Sequence, residues 1–262
     1  KKEDSIIKVI GVGGGGSNAV NHMCAQGITG VEFMVCNTDG QALQNSPVAI
    51  KVQLGKELTL GRGAGNEPGV GREAALEDHE ELKSLLLPST KMVFLTAGMG
   101  GGTGTGAAPV IAEICREMDI LTVAIVTLPF TFEGEKRRLQ AIEGVRQLKN
   151  HVDALLIIHN DRLRDIYGDQ KLSVAFGNAD NVLATAAKGI AEIITVHGYV
   201  NVDFADVKTV MEKSGVAIMG TGISEGEDRA HDAIRKALIS PLLNSSNLRG
   251  AKDILLNIRS DY

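Results

Sequence analysis

Residues 98–106 read Gly98-Met99-Gly100-Gly101-Gly102-Thr103-Gly104-Thr105-Gly106, between the apolar run 91–96 and the apolar segment that begins at Ala107. This order predicts a strand, a glycine loop and a helix start. The glycines allow successive backbone N–H groups to face one concavity, the threonines add hydroxyl donors, and Pro109 suits the first helical turn. A flexible linker is the alternative, but a linker would not separate a buried-type strand from an apolar helix. We therefore predict an anion cradle suited to a di- or triphosphate.

Composition bounds the class of protein. The chain has 262 residues, 44% of them hydrophobic and 23% charged, as expected for a globular protein of one large domain or slightly more. Its formal charge of −5 argues against a nucleic-acid-binding surface. Three dispersed cysteines in apolar contexts are typical of reduced thiols. The sequence shows neither an apolar run of membrane-spanning length nor a signal peptide, so we expect a cytoplasmic protein without nucleic-acid partners or direct membrane insertion.

A second glycine loop follows the first apolar run, residues 6–10. Gly11, Gly13 and Gly16 satisfy the dinucleotide pattern G-x-G-x-x-G, and the strand predicted at 31–36 ends near Asp39, where a ribose-binding acid could lie. Taken alone, this favours NAD or FAD. A dinucleotide site, however, needs one glycine loop under one pyrophosphate, whereas two loops at two strand ends suit a longer phosphate chain.

A third glycine-rich segment, residues 61–69, precedes a helical period that runs from Val70 through Leu86. The segment is either a mobile lid or a surface connection, and the sequence favours neither. A third strand is predicted at 48–54.

The remaining units continue the alternation of strand and helix. Strands are predicted at 121–128 and 154–159, and a helix with apolar positions 139, 142, 145 and 148 lies between them. Glu133 and Arg137 are four residues apart, so they form either a solvated surface pair or a joint contact to ribose and phosphate. Six such units with a loop at each strand end predict a doubly wound, Rossmann-like, mostly parallel α/β sheet with its ligand at the carboxyl edge.

One long helix is predicted over residues 174–195. Phe176 and Asp180 share a face near its start. An aromatic ring beside a carboxylate can stack on a purine and accept the amide and amino hydrogens of guanine. A core phenylalanine beside a solvated aspartate is the commoner outcome for these residue types in isolation.

A further helix is predicted to open within residues 201–206, NVDFAD, and to run to residue 213. Asp203 and Asp206 share a face in its first turn, a position that also suits ordinary capping. A strand at 217–224, a helix at 228–238 and a final strand at 251–258 are predicted to begin a second, α+β unit.

The glycine-threonine run 100–106, residues 11–20 and the NVDFAD element together resemble the FtsZ family, the bacterial cell-division GTPases of the tubulin superfamily. The resemblance extends from about residue 6 to residue 258, whereas the sequence lacks the G-x-x-x-x-G-K-[ST] pattern of P-loop GTPases. It implies a GTP-binding domain at 1–173, a central connecting helix at 174–197, and the catalytic loop with a partial C-terminal domain at 198–262.

The resemblance also implies roles for individual residues. Catalysis falls to Asn201, Asp203 and Asp206, which in this family enter the nucleotide pocket of the next subunit. Nucleotide binding falls to Gly13, Gly14, Gly15, Asn18, Gly100, Gly101, Gly102, Thr103, Gly104, Thr105, Glu133, Arg137, Asn160, Phe176 and Asp180. By the same resemblance, the last three of these would hold guanine.

The implied ligands are GTP or GDP, Mg²⁺ held mainly by phosphates and water, and K⁺ as a further ion, with no metal-ligating side chains assigned. The implied partners are further copies of the chain in a head-to-tail filament at mid-cell, and regulators and membrane tethers bound through a tail beyond residue 262. A GTP-binding structural or regulatory protein of the superfamily that hydrolyses little, and a Rossmann oxidoreductase, are the competing hypotheses.

Overall fold

The computed structural model describes residues 5–86, 89–168, 171–196, 202–239 and 250–260. Seven strands form one sheet, and all of its pairings are parallel. In chain order they are β1 Ile7–Val12, β2 Glu32–Asn37, β3 Ile50–Gln53, β4 Met92–Gly98, β5 Leu121–Leu128, β6 Ala154–His159 and β7 Gly215–Val216. Their order across the sheet is β3-β2-β1-β4-β5-β6-β7, so the strand order reverses between β1 and β4. The predicted doubly wound fold is confirmed.

Helices cover both faces of the sheet. They are α1 Gly13–Ala25, α2 Gly40–Asn45, α3 Lys56–Thr59, α4 Pro68–Glu77, α5 His79–Leu86, α6 Thr103–Glu117, α7 Glu135–Leu148, α8 Asn160–Tyr167, α9 Leu172–Thr195, α10 Phe204–Met211 and α11 Arg229–Ile239. Residues of α1, α9 and α10 pack in the core on one face, and residues of α4, α5, α6 and α7 pack in the core on the other. Within the described residues, no helix combines the length and the apolar character needed to cross a membrane.

The first glycine loop and the glycine run wind into helices earlier than predicted. Helix α1 begins at Gly13 and α6 at Thr103, so much of each predicted loop is a first helical turn. Pro109 therefore lies inside α6 rather than in its first turn. Its ring removes one backbone donor from the helix interior. As a result, the free N–H groups in the first turn of each helix lie close to the carboxyl end of the preceding strand.

Three other predicted elements differ. The helical period at 70–86 is divided at Asp78, where the backbone leaves the helical region between α4 and α5. The predicted strand at 217–224 was wrong, because the pairing with β6 is made by β7, just before it, and ends with the hydrogen bond from the Ala217 N–H to the Leu155 carbonyl. The predicted strand at 251–258 was also wrong. Its apolar residues Ile254, Leu256 and Ile258 are all more than two-thirds exposed, and a strand without a paired neighbour has no partners for its backbone groups.

An ion pair joins the neighbouring strands β1 and β2. Lys8 on β1 is buried, and its ammonium group contacts the carboxylate of Glu32, its register partner on β2. We expect Glu32→Gln to lower the free energy of unfolding by about 2 to 3 kcal/mol, because a buried charge loses its counter-ion. Urea unfolding measures this change. Glu73→Gln, which breaks the exposed pair with Arg72, is the matched control and should cost less than about 0.5 kcal/mol. Equal losses in the two variants would contradict the prediction.

Candidate functional site: a glycine-lined edge of the sheet

The two glycine-rich helix starts touch one another at the point where the strand order reverses. A Cβ atom added to Gly13 would lie 2.7 Å from the backbone nitrogen of Gly104, and one added to Gly15 would lie 3.2 Å from the Cα atom of Gly98. Gly13 also has a φ of 71°, a conformation that side chains disfavour. The backbones are thus in direct contact, and the ends of α1 and α6 form one continuous surface of N–H donors at the carboxyl edge.

The glycines of this surface fall into two groups. Gly14 has no atom within 4 Å of an added Cβ, and Gly101 has only the side-chain oxygen of Asn66, at 4.0 Å. Gly102 and Gly104, by contrast, would place a Cβ 2.8 Å from the Ala64 methyl group and 2.6 Å from the Gly98 carbonyl oxygen. The first group borders open space that a ligand can fill, whereas the second is needed for packing.

The threonines of the run hold the loop in shape. The hydroxyl groups of Thr103 and Thr38 are hydrogen-bonded at 2.6 Å and are buried, which ties the end of β2 to the start of α6. The hydroxyl oxygen of Thr105 accepts the backbone N–H of Gly100 at 2.8 Å. Both hydroxyls therefore have partners within the protein, an arrangement that the sequence pattern did not reveal.

The third glycine-rich segment packs against the glycine run. The backbone nitrogen of Glu67 would lie 2.9 Å from a Cβ on Gly102, and the Glu67 carboxylate pairs with Lys136 of α7 at 2.9 Å. Asn66 has a φ of 62°, and its carbonyl oxygen accepts the side-chain amide of Gln140 at 3.3 Å. The segment is thus fastened on two sides, and it brings the Asn66 amide close to Gly101.

Glu133 and Arg137 form the predicted pair, with a guanidinium to carboxylate distance of 2.7 Å. The second carboxylate oxygen of Glu133 accepts the backbone N–H of Phe130 at 2.9 Å, which fixes the turn after β5. The carbonyl oxygen of Arg137 would lie 2.8 Å from a Cβ on Gly100. The pair therefore lies directly beside the glycine run.

An aromatic cluster follows β5. The rings of Phe130 and Phe132 stack with centroids 4.9 Å apart, and Phe176 meets Phe130 edge to face at 5.3 Å. Phe176 is 38% exposed, so it does not belong to the core. Its exposed ring, next to the carboxyl edge, is available for stacking.

The Asp180 carboxyl group is partly buried, close to His22 of α1. Burial raises the pKa of its carboxyl group to about 6, and the nearby His22 of α1 opposes that rise. A half-buried carboxylate of this kind is stabilised by N–H donors from a ligand. The structure therefore argues against the alternative interpretation, in which a core phenylalanine lies beside a solvated aspartate.

Asn160 provides an orphaned polar atom at the same edge. It is the first residue of α8, directly after β6, and is 4% exposed. Within the described part of the chain, its side-chain oxygen has no hydrogen-bond partner. Because a buried amide oxygen is costly to leave unpaired, the position fits a ligand donor.

Asn18 lies on the exposed side of the first turns of α1, on the same edge as Gly14 and Gly15. Together with the residues above, the structure brings all fifteen predicted nucleotide-binding positions to the carboxyl side of the sheet or to the start of α9.

The predicted catalytic acids lie elsewhere. Asp203 and Asp206 cap α10 reciprocally: the Asp203 carboxylate accepts the N–H of Asp206 at 3.0 Å, and the Asp206 carboxylate accepts the N–H of Asp203 at 3.2 Å. Both are exposed. The ammonium group of Lys208 on α10 lies 3.6 Å from the carboxylate of Asp119, two residues before β5 begins. The helix therefore lies towards the amino edge, a strand length of about 26 Å from the glycine run. Asn201 is outside the described residues.

Several residues of this edge were missed by the sequence analysis. Thr38 directly follows β2, Thr127 is the last residue but one of β5, and the Thr127 hydroxyl oxygen lies 3.7 Å from a Cβ built on Gly98. The rule that ligands bind beyond the carboxyl ends of strands would have found both. Asn66 and His22 carried no comparable signal. The proposed ribose acid Asp39 is instead the cap of α2, since its carboxylate accepts the N–H groups of Gln41 and Ala42.

A parallel sheet with two touching glycine-rich helix starts at its switch point defines a doubly wound α/β protein with a phosphate-type cradle. A family model described as the Tubulin/FtsZ family, GTPase domain, matches residues 6–168, and one described as the FtsZ family, C-terminal domain, matches residues 215–261. The chain belongs to the Tubulin/FtsZ family.

Individual relatives agree with this membership. The chain is 56% identical over 257 residues to "Cell division protein FtsZ" of Azotobacter vinelandii, and 56% identical to the protein of that name from Pseudomonas aeruginosa. Each alignment covers 98% of this chain and 65% of the relative, so the chain spans about two-thirds of the length of these relatives.

Solved structures show the same relationship. "FtsZ dimer, empty (M. jannaschii)" superimposes with a TM-score of 0.88 at 47% identity, covering 93% of this chain and 71% of that one. "CetZ2 from Haloferax volcanii - GTPgS bound protofilament" superimposes with a TM-score of 0.75 at 25% identity, covering 87% and 70%.

Proposed function

We propose that the protein carrying this chain is a self-assembling GTPase of bacterial cell division that hydrolyses GTP between successive subunits. The observation that carries the proposal is the distance between two features of one chain. A cradle of N–H donors lies at the carboxyl edge, and the exposed pair Asp203 and Asp206 lies towards the amino edge. The names of the relatives, a cell-division protein and structures called a dimer and a GTPγS-bound protofilament, support it.

The cradle fits a guanine nucleotide. The open N–H groups around Gly14 and Gly101, with Asn18, would meet the phosphates, and the pair Glu133 and Arg137 would meet the ribose and phosphates. The remaining predicted glycines and threonines, residues 13, 15, 100, 102, 103, 104 and 105, would support and extend this surface.

The base would lie between three groups on neighbouring elements. Phe176 offers an exposed ring for stacking, and the unpaired amide oxygen of Asn160 offers an acceptor. The Asp180 carboxylate would accept the two N–H hydrogens on the guanine edge, which adenine lacks. Occupancy by guanine would thus satisfy an orphaned oxygen and a half-buried carboxylate together.

Hydrolysis requires an aligned water and the stabilisation of charge on the phosphate oxygens. The N–H groups of both helix starts would stabilise that charge. In this proposal, Asp203, Asp206 and Asn201 of the next subunit position the water. Mg²⁺ would be held mainly by phosphate oxygens and water, with K⁺ as a further ion.

Head-to-tail association would complete every active site except that of the last subunit. The proposed division of labour follows the chain, with a GTP-binding domain at 1–173, a connecting helix at 174–197, and the catalytic loop and partial C-terminal domain at 198–262. We further propose assembly at mid-cell in the cytoplasm. Regulators and membrane tethers would bind through a tail that follows these residues.

A family member that binds GTP but hydrolyses little is the second candidate, and the exposed acids of α10 favour the first. The oxidoreductase hypothesis is less favoured, because Oδ1 of its candidate ribose acid, Asp39, already accepts two N–H groups at the start of α2.

Identification of the bound nucleotide, combined with GTPase activity measured against protein concentration, tests the proposal. We expect guanine nucleotide to be released on denaturation and specific activity to rise with concentration. Release of a flavin or nicotinamide would refute the proposal, and GTP binding without turnover at any concentration would favour the second candidate.

The open glycines give a test of the cradle. We expect Gly101→Ala to lower GTP affinity about tenfold while the melting temperature stays within about 2 °C, because the new methyl group enters ligand space and touches no protein atom closely. Isothermal titration and thermal melting measure the two effects. Gly104→Ala should instead unfold the protein readily, since its methyl group meets the Gly98 carbonyl. Wild-type affinity in Gly101→Ala would exclude this part of the loop from the site.

A further inference from the structure

One carboxylate joins the loops that follow β5 and β6. One oxygen of Asp161 accepts the backbone N–H of Thr131 at 3.0 Å, and the other accepts the Thr131 hydroxyl at 2.6 Å. Both oxygens thus serve a single residue on the neighbouring loop. Hydrogen bonds to an ionised acceptor are among the strongest in proteins, and two of them fix orientation as well as distance.

Thr131, the residue that Asp161 binds, is the first residue of the turn that contains Glu133. Thr131 is the first residue of the 3₁₀ turn Thr131–Glu133, and the Glu133 carboxylate closes that turn onto the N–H of Phe130. The turn is therefore held from within by Glu133 and from the start of α8 by Asp161. Asp161 itself follows Asn160, the base-side residue, in the first turn of α8.

We propose that Asp161 is a positioning residue that sets the ribose side of the nucleotide site. This proposal rests on the proposed function, since it assumes that Glu133 contacts the ribose of GTP. Asp161 acts through Thr131 on the turn that ends in Glu133, whereas the base acceptor Asp180 belongs to α9. Loss of the Asp161 contacts should therefore weaken recognition of the ribose hydroxyls and leave recognition of the base intact.

Three nucleotides separate these contributions. GTP has every group, 2′,3′-dideoxy-GTP lacks the ribose hydroxyls, and inosine triphosphate lacks the 2-amino group of the base. We expect Asp161→Asn to lower GTP affinity about five- to tenfold, as for the loss of a hydrogen bond to a charged group. Affinity for dideoxy-GTP should change less than about twofold, and the ratio of GTP to inosine triphosphate affinity should be unchanged.

The Thr131 hydroxyl gives an independent pair of variants. Thr131→Val should reproduce the Asp161→Asn pattern, Thr131→Ser should restore it towards wild type, and the double variant Asp161→Asn with Thr131→Val should lose little more than either alone. Glu143→Gln, which removes a carboxylate from the exposed pair with Arg146 on α7, is the matched control. If Asp161→Asn fails to fold, the comparison of Thr131→Val with Thr131→Ser still tests the positioning role.

The outcomes are distinct. Equal loss of affinity for GTP and dideoxy-GTP, a changed ratio of GTP to inosine triphosphate, or additive losses in the double variant would each overturn the positioning role while the proposed function stands. Failure of the wild-type protein to bind GTP would overturn the proposed function and the inference together.

Discussion

Asp206→Asn should leave GTP affinity within about twofold of wild type and lower turnover at saturating GTP by about a hundredfold or more. The affinity persists because Asp206 lies towards the amino edge of the sheet, away from the cradle of its own subunit. The fold persists because the amide keeps an oxygen that can accept the Asp203 N–H, so the cap of α10 remains. Phosphate release and equilibrium nucleotide binding measure the two quantities on one preparation.

Mixing distinguishes a shared site from a self-contained one. A mixture of the Asp206→Asn protein with the Asp180→Asn protein should recover part of the activity. At some subunit contacts, the intact pocket of one protein would meet the intact Asp206 of the other. Glu212→Gln, at the other end of α10, is the matched control and should retain full turnover. Specific activity that stays constant over about a hundredfold dilution, without rescue on mixing, would rule out catalysis between subunits.

Asp180→Asn should lower GTP affinity by about ten- to a hundredfold, because the guanine N–H hydrogens lose a charged acceptor. The amide has nearly the same volume, so the melting temperature should change little. Affinity for xanthosine triphosphate should rise relative to GTP, since its 2-oxo group can accept from the new amide. Titration with both nucleotides measures the switch, and Asp232→Asn on the exposed face of α11 is the control. Unchanged GTP affinity would remove Asp180 from the site.

The same carboxyl group predicts a pH dependence of binding. Burial raises the pKa of Asp180 to about 6 in the free protein, so below that pH the group is protonated and cannot accept both guanine hydrogens. GTP affinity should be constant well above pH 6 and should fall as the pH drops through 6. The nucleotide phosphates titrate in wild type and in Asp180→Asn alike, so the difference between the two proteins isolates the carboxyl contribution. Parallel pH profiles would contradict the assignment.

The sheet was predictable because buried parallel strands leave an unambiguous pattern. The bounds predicted for β5 and β6 are confirmed, since each is a mostly apolar run with a clear end, at Pro129 for β5 and at Asn160 for β6. The two strands predicted near the C-terminus were wrong for a complementary reason. Residues 251–258 contain the apolar run Ile254-Leu255-Leu256, which favours a strand, but a strand exists only through its neighbours, which a local pattern cannot show.

The sequence predicts which residue types line the candidate site better than it predicts what each residue does there. Glycines in a row indicate backbone access, but only the structure separates Gly101, beside open space, from Gly104, beside the Gly98 carbonyl. Likewise, the threonines indicate hydroxyl donors, whereas the contact between Thr38 and Thr103 depends on which strands are adjacent. Long-range partners of this kind follow from topology, and sequence spacing does not contain them.

The contact between Gly13 and Gly104 also bears on how the protein acquires its site during synthesis. These residues are about ninety positions apart, so the chain must close a long loop, through pairing of β1 with β4, before the cradle exists. The proposed base contacts lie further along still, on α9. An emerging chain that has not yet released the start of α9 would thus hold the nucleotide poorly, however well its first strands have formed. GTP should therefore stabilise only the completed domain, and nucleotide capture would mark the end of its folding rather than guide its early steps.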